Sequence, residues 1–218
     1  MNFFIASIPF FVLSLIHLIQ GLLEKHKAAN FTKILLMPSL ILAILISGVF
    51  KNQFGLFVIC ALIFATLGDK FLIKPVSKTN FLKGVLSFFL GHIFLLICVI
   101  PISKIWILPS WIIAIFIMIY GTIIFGSYNI LGKPKGFRGF AAVVYTAMLT
   151  LMGLVCFATL LINRNFQSLI IFLGSLSFMI SDSVLGITLF KSEFPKSRFV
   201  IMSTYLTAEF LLTYGILM

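Results

Sequence analysis

Eight apolar stretches, each close to the roughly 20 residues that a membrane-spanning helix needs, occupy nearly the whole of the 218-residue chain. They cover residues 2–23, 32–50, 54–73, 82–100, 105–128, 138–162, 166–190 and 198–218. The runs are continuous rather than alternating in polarity, which favours helices over the strands of a membrane barrel. The breaks are too short to form a soluble domain. We therefore predict an all-α membrane protein, in which residues 1–218 form one domain, a single bundle of eight transmembrane helices.

The composition agrees with this prediction and excludes several classes of protein. Of the residues, 61% are hydrophobic and 10% are charged, whereas a soluble domain has about 45–50% apolar and about 25% charged residues. The Lys and Arg residues stand singly or in small groups, without the dense basic surface of a nucleic-acid-binding protein. The three cysteines lie in separate apolar stretches, so neither a disulfide framework nor a thiolate metal site is expected.

The distribution of basic residues predicts the orientation of the bundle. Of the 16 Lys and Arg residues, all but Lys51, Lys104 and Arg164 lie in or beside the first, third, fifth and seventh loops. By the positive-inside rule, these odd-numbered loops face the cytoplasm and both termini face the non-cytoplasmic side. The first stretch lacks the features of a cleaved signal peptide, so we expect it to be retained. The short loops and lysine-rich composition favour a bacterial inner membrane.

Polar side chains within the apolar stretches are concentrated at one depth. A charged side chain at the centre of a span costs roughly 2.5–3.5 kcal/mol, so intramembrane acids indicate function. At about 1.5 Å of helix rise per residue, seven polar side chains lie about 7–16 Å below the flanking basic residues. They are His17, Asp69, His92, Tyr145, Asp182, Tyr205 and Glu209. This layer predicts one polar cavity that opens to the cytoplasmic leaflet.

Some of these residues also have a structural interpretation. His92 belongs to a helix with a small-residue face suited to close packing, where it can simply join two helices by a hydrogen bond. Lys70 can neutralise Asp69 near the membrane interface. His17 is isolated along the chain, and we interpret it as structural.

Four motifs follow one another along the chain. They are Gly68-Asp69-Lys70-Phe71-Leu72, Phe81-x-x-Gly84-x-x-x-Phe88-x-x-Gly91-His92, Phe178-x-x-Ser181-Asp182-Ser183-Val184-Leu185 and Thr204-Tyr205-x-x-Ala208-Glu209. In order and spacing this series resembles the lysoplasmalogenase (YhhN-like) family of integral membrane proteins over nearly the whole chain. Three positions depart from the family pattern. Lys70 stands where an apolar residue is expected, Phe94 where Tyr is frequent, and Glu209 where the last helix usually carries Gln.

The resemblance implies an enzyme that hydrolyses the vinyl ether bond of lysoplasmalogens, releasing a fatty aldehyde and a glycerophospho-alcohol without a cofactor. Such hydrolysis begins with proton transfer to the β-carbon. It needs one protonated carboxylic acid and one carboxylate that stabilises the resulting cation and orients water. Two carboxyl groups in a shared apolar site can divide these roles. We therefore expect Asp69 and Asp182 to be catalytic, with Asp182 as the acid and Asp69 orienting water, or the reverse.

Further residues are expected to support this pair or to bind the lysophospholipid. Those expected to hold water, the carboxyl groups or the glycerol oxygens are His92, Tyr145, Ser181, Tyr205 and Glu209. Those expected near the substrate phosphate at the cytoplasmic interface are Lys33, Lys70, Lys74 and Arg138. The hydrocarbon chain is expected to enter sideways from the inner leaflet, between helix faces rich in Phe and Leu. The expected partners are therefore the lysophospholipid and membrane lipids, and no nucleic acid.

Two other functions fit the same residues. Asp69, His92, Asp182 and Glu209 could supply a Zn²⁺-type site of a metal-dependent lipid hydrolase, although no HExxH motif is present. Intramembrane acids and histidines also form the proton relays of transporters, which suggests a proton-coupled transporter or lipid carrier. The polar residues lie on one side of the membrane, and the two halves of the chain show no repeat. Both features disfavour a transport path.

Overall fold

The computed structural model describes residues 2–73 and 77–218, without the side chains of His26 and Lys78, and all regular elements in these ranges are helical. The α-helices are α1 (Phe3–Ala6), α2 (Ile8–Leu22), α3 (His26–Ser47), α4 (Gly55–Leu72), α5 (Lys78–Ser103), α6 (Ser110–Ile130), α7 (Gly136–Asn163), α8 (Phe166–Phe190) and α9 (Ser197–Leu217). Short 3₁₀ turns lie at Val49–Lys51 and Ile105–Ile107. Seven helices, α3 to α9, are long and apolar enough to cross a membrane. The chain therefore has the build of an integral membrane protein.

The N-terminal stretch differs from the single span predicted over residues 2–23. It forms two helices that meet at Ser7, whose hydroxyl donates to the carbonyl oxygen of Phe3. The longer helix, α2, has 15 residues, which corresponds to about 22 Å of helix against a hydrocarbon core of about 30 Å. Seven of the eight predicted spans are confirmed as sufficiently long apolar helices. A crossing by residues 2–23 stays a prediction.

Several helices extend further into the polar breaks than predicted. α3 begins at His26 rather than near residue 32, and α5 begins at Lys78 rather than near residue 82. α5 also continues through Pro101, where a polar break is predicted. The reason is that an apolar run reports the hydrocarbon core, whereas a spanning helix continues into the interfacial layers, where charged side chains are hydrated. The start of α5 is fixed instead by Ser77, whose hydroxyl accepts from the backbone N–H of Asn80.

Both termini lie at the same end of the bundle. The ring of Phe4 in α1 packs against that of Tyr214 near the end of α9, with 4.6 Å between the ring centroids. The second loop is at this end too, since the Asn52 side-chain amide donates to the carbonyl oxygen of Leu217. The basic, odd-numbered loops therefore lie at the opposite end. That this opposite end faces the cytoplasm stays a prediction from the loop charges.

Small residues allow close approach between the helices that carry the polar side chains. α4 meets α5 at Gly68, where an added Cβ would lie 2.7 Å from the ring of Phe88. α9 meets α8 at Gly215, where an added Cβ would lie 2.8 Å from the side chain of Ile171. Such contacts let neighbouring backbones approach more closely than larger side chains would allow. They bring the polar side chains of α4, α8 and α9 into one region.

Candidate active site

Asp69, near the end of α4, is held by partners from two other helices. The ammonium nitrogen of Lys33 in α3 lies 3.1 Å from Asp69 Oδ1. The hydroxyl group of Tyr205 in α9 donates to Asp69 Oδ2 at 2.9 Å. The Asp69 side chain is 2% exposed and that of Lys33 is 19% exposed. With a charge-assisted partner on one oxygen and a hydroxyl donor on the other, the carboxyl group is held in one orientation.

Asp182, in α8, lines a largely apolar cavity of about 180 Å³ that we call the first cavity. Its wall comes from α4 to α8 and consists mainly of Leu, Ile, Phe and Val side chains. The hydroxyl group of Tyr145 in α7 donates to Asp182 Oδ2. Among the described residues, Asp182 is the one charged side chain in this wall. The first cavity thus combines a space suited to hydrocarbon with a single carboxyl group.

Glu209 is a third acid in the same region. It lies one helical turn after Tyr205 in α9 and is 3% exposed. Both Asp69 and Asp182 interact with it electrostatically. We refer to Asp69, Asp182 and Glu209 as the carboxyl cluster. Within the described part of the chain, Lys33 supplies the only ion pair to the cluster. Asp69 and Glu209 are buried, and Asp182 is partly exposed at the first cavity. Three carboxylates so enclosed with one ammonium would leave uncompensated negative charge at high cost, so the cluster retains at least one proton.

His92 and Ser181 lie against this region and bond to backbone carbonyl groups. His92 Nδ1 bonds to the carbonyl oxygen of Phe88 at 2.8 Å. A carbonyl oxygen only accepts, so Nδ1 carries the hydrogen and Nε2 of the neutral ring is an acceptor. In the described structure Nε2 is buried without a hydrogen-bond partner, and the ring centroid lies 5.7 Å from that of Tyr145. Ser181 donates to the carbonyl oxygen of Ile201 at 3.0 Å and so joins α8 to α9.

The basic residues expected near a phosphate lie in different places. Lys33 points inward to the carboxyl cluster, whereas Lys70 is exposed. Lys33 therefore supplies the ion pair that the structural interpretation assigns to Lys70. Arg138 is exposed, and its guanidinium carbon lies 5.6 Å from the ring centroid of Phe81, which lines the first cavity. Lys74 lies outside the described residues.

A second cavity of about 230 Å³ lies beside the first. The sequence-based predictions do not anticipate this second cavity. It is bordered by α2, α3, the end of α4, α8 and the first two turns of α9, and it shares Leu72, Leu185 and Leu189 with the first cavity. The polar residues in its wall are His17, Asn30, Lys33, Thr188, Glu193, Ser197 and Arg198. Most of them lie in or beside polar breaks, where such residues are common. No sequence signal marks their convergence, which depends on how the helices pack.

The side chains named for a metal site do not form one in the described residues. No group of three or more His, Cys, Asp or Glu side chains there has an arrangement that could hold a metal ion. Asp69 is instead bonded to Lys33 and Tyr205, and Asp182 to Tyr145. The donor arrangement therefore does not favour the metal-dependent hydrolase.

Residues 28–216 match the family model described as the YhhN family. The chain belongs to the YhhN family. This confirms the membership that the four motifs predict, and the matched range includes Lys33 and the whole carboxyl cluster. The YhhN match begins at the start of α3 and so leaves out α1 and α2. No curated protein and no solved structure matches the chain.

Proposed function

We propose that this YhhN-family protein is an intramembrane lysoplasmalogenase. It would hydrolyse the vinyl ether bond of alkenyl-glycerophosphocholine or alkenyl-glycerophosphoethanolamine to a fatty aldehyde and a glycerophospho-alcohol. The observation that carries the proposal is the carboxyl cluster beside the first cavity, because it joins retained acid protons to a space lined by hydrocarbon. The family resemblance implies the same reaction.

Asp182 is the member of the cluster that we assign as the general acid. It borders the first cavity, and its described hydrogen-bond partner is the Tyr145 hydroxyl rather than a cation. Since this hydroxyl donates to Oδ2, the transferable proton belongs on Oδ1. Asp69, bonded to Lys33 and Tyr205, is the carboxylate that receives a proton from water. A positioned acid and base of this kind each contribute typically 10²–10⁴-fold to a rate.

The proton transfers balance over one turnover. Asp182 gives its proton to the β-carbon of the vinyl ether, and the α-carbon and the ether oxygen share the positive charge of an oxocarbenium ion. Water then adds to the α-carbon and gives one of its protons to Asp69. The product of this addition is a hemiacetal. The proton on Asp69 then passes to the glycerol oxygen as its bond to the α-carbon breaks. The hemiacetal hydroxyl returns its proton to Asp182, and the aldehyde and glycerophospho-alcohol leave.

The placement of the site supports access from the bilayer. α6 forms part of the wall of the first cavity, and it is the least buried of the seven long helices, with 6% of its span enclosed. A hydrocarbon chain can therefore reach the cavity sideways past α6. The cavities lie toward the end of the bundle with the basic loops, so in this proposal the site faces the cytoplasmic leaflet.

The proposal is tested with the purified protein in a mild detergent. It is incubated with a lysoplasmalogen and with the matched ester lysophospholipid, and aldehyde and fatty acid are quantified by mass spectrometry. We expect aldehyde from the vinyl ether lipid, unaffected by a chelator and lost in Asp182→Asn. The thermal stability of the variant, compared with the wild type, controls for misfolding.

Two outcomes of this test contradict the proposal. Fatty acid release from the ester that stops with chelator would indicate a metal-dependent hydrolase. Absence of any product, together with proton-driven uptake of lipid into proteoliposomes, would indicate a transporter.

A further inference from the structure

We propose that the second cavity binds the phosphate group of the lipid while the first cavity holds its hydrocarbon chain. In this inference Lys33 links the phosphate to the carboxyl cluster. The identity of the lipid rests on the proposed function. The phosphate site itself can be tested by binding, without any catalytic activity.

The charged side chains in the walls of the two cavities place a phosphate in the second cavity rather than in the first. As far as the structure describes the chain, the ionisable acid or base in the wall of the first cavity is the carboxyl group of Asp182. It repels a phosphate if ionised and offers it no cation. In the wall of the second cavity, the charged side chains among the described residues are Lys33, Arg198 and one acid, Glu193. Arg198 lies 3.2 Å from Glu193, and both side chains are more than half exposed. Such a solvated pair contributes little energy.

Lys33 lies deeper in the second cavity than Arg198 and faces two environments. Its ammonium group is 3.1 Å from Asp69 Oδ1, and its side chain also lines the cavity. An ammonium group has three hydrogens to donate, so the bond to Asp69 leaves others for a phosphate oxygen.

Neutral hydrogen-bonding groups complete the wall around this cation. Ser197 is 2% exposed and lines the cavity, so it places a hydroxyl group in the wall. Asn30 contributes a side-chain amide from α3. Ser197 is also the first residue of α9, and peptide N–H groups at a helix N-terminus favour an anion. The cation, the hydroxyl group and the side-chain amide together form the donor set of a phosphate site.

The position of Lys33 has a consequence for the reaction. A phosphate in the second cavity shares the ammonium group with Asp69 and offsets part of its positive charge. Weakening of that ion pair makes Asp69 a better proton acceptor for the attacking water. The phosphate of the substrate therefore assists the reaction, in addition to anchoring the lipid. An alkenylglycerol without phosphate should be a poor substrate in kcat as well as in KM.

The binding experiment uses saturated alkyl ether lipids, which the proposed reaction cannot cleave. Alkyl-lysophosphoethanolamine and the matched alkylglycerol are titrated against the purified protein in non-ionic detergent, and the shift in thermal stability gives each Kd. Inorganic phosphate and glycerophosphoethanolamine form separate arms. We expect the phospholipid to bind at least about tenfold more tightly than the alkylglycerol, which is the effect of about one charge-assisted hydrogen bond.

Lipid binding by single-residue variants shows which cavity holds the phosphate group. Ser197→Ala and Arg198→Gln should each reduce the preference for the phospholipid several-fold while leaving alkylglycerol binding unchanged. Arg164→Gln, an exposed arginine at the opposite end of the bundle, is the matched control and should leave both affinities unchanged. Arg138→Gln tests the alternative position at the rim of the first cavity.

Three results would overturn the inference. The first is equal binding of the phospholipid and the alkylglycerol. The second is loss of the preference in Arg138→Gln but not in the Ser197 and Arg198 variants. The third is binding of inorganic phosphate as tight as that of the phospholipid, which would make the site one for free phosphate. A preserved preference in a protein that releases no aldehyde would support the phosphate site and contradict only the proposed function.

Discussion

Removal of Lys33 is expected to destabilise the protein more than removal of Asp69, although the two side chains form one ion pair. The difference follows from their exposure, 19% for Lys33 and 2% for Asp69. In Lys33→Met a carboxyl group stays behind with no access to solvent. In Asp69→Asn the remaining ammonium group can turn on its flexible stem toward the second cavity and water.

The size of each effect can be worked out from these surroundings. Loss of one partner of a buried ion pair costs about 3–5 kcal/mol, because the other charge is left uncompensated. The stranded Asp69 can escape by taking up a proton, which costs about 4 kcal/mol at pH 7 for a carboxyl group with an ordinary pKa of about 3.9. We therefore expect Lys33→Met to cost about 3–4 kcal/mol and Asp69→Asn about 1–2 kcal/mol. The cost of Lys33→Met should fall by about 1.4 kcal/mol for each pH unit below 7, since protonation becomes easier.

The assay is reversible unfolding in mixed micelles of a non-ionic detergent and sodium dodecyl sulfate, from which the free energy of unfolding is extrapolated. Lys51→Met, in an exposed turn at the opposite end, is the matched control and should stay within about 0.5 kcal/mol of the wild type. The double variant Lys33→Met/Asp69→Asn should be more stable than Lys33→Met alone. The reasoning is refuted if the free energy of unfolding of Lys33→Met equals that of Lys51→Met. It is also refuted if the double variant loses as much free energy of unfolding as the two single variants lose together.

Three further predictions concern the acid, its hydrogen-bond donor and the packing of α4 on α5. Asp182→Asn should lower kcat for aldehyde release about 10²–10⁴-fold; an unchanged rate would remove Asp182 from the reaction. Tyr145→Phe deletes the hydroxyl that donates to Asp182 and should slow aldehyde release about tenfold, the effect of roughly one lost hydrogen bond; initial rates at saturating substrate measure this, and no change would show that the bond does not matter. Gly68→Ala places a Cβ 2.7 Å from the Phe88 ring and should destabilise the protein by about 1–3 kcal/mol. Gly121→Ala, whose Cβ would meet nothing within 4 Å, should not destabilise it, and equal losses at both glycines would contradict the packing argument.

The depth of the polar residues could be predicted because helical rise fixes the position of each residue along its axis. The direction of each side chain around that axis could not. Lys70 is next to Asp69 in sequence, but successive residues on a helix point about 100° apart, and Lys70 faces outward. Lys33, 36 positions earlier in the chain, reaches Asp69 instead because α3 packs beside α4. A partner supplied by another helix leaves no local signal.

The second cavity was beyond prediction for a related reason. Asn30 and Ser197 belong to parts of the chain that were expected to be loop or helix end, where polar residues need no explanation. Their significance appears only when α3 and α9 are seen to border one space. In contrast, the three acids of the carboxyl cluster were conspicuous, because an acid within an apolar run is costly wherever the helix lies.

The most direct test of the central claim is hydrolysis in D₂O, because the proposed reaction begins with transfer of a solvent-exchanged proton to carbon. The purified protein is incubated with a lysoplasmalogen in D₂O. The aldehyde is derivatised immediately, and its deuterium content is measured by mass spectrometry. We predict one deuterium on the carbon next to the aldehyde group, with aldehyde formation lost in Asp182→Asn. Aldehyde without deuterium at that carbon, or undiminished aldehyde release by Asp182→Asn, would contradict the account.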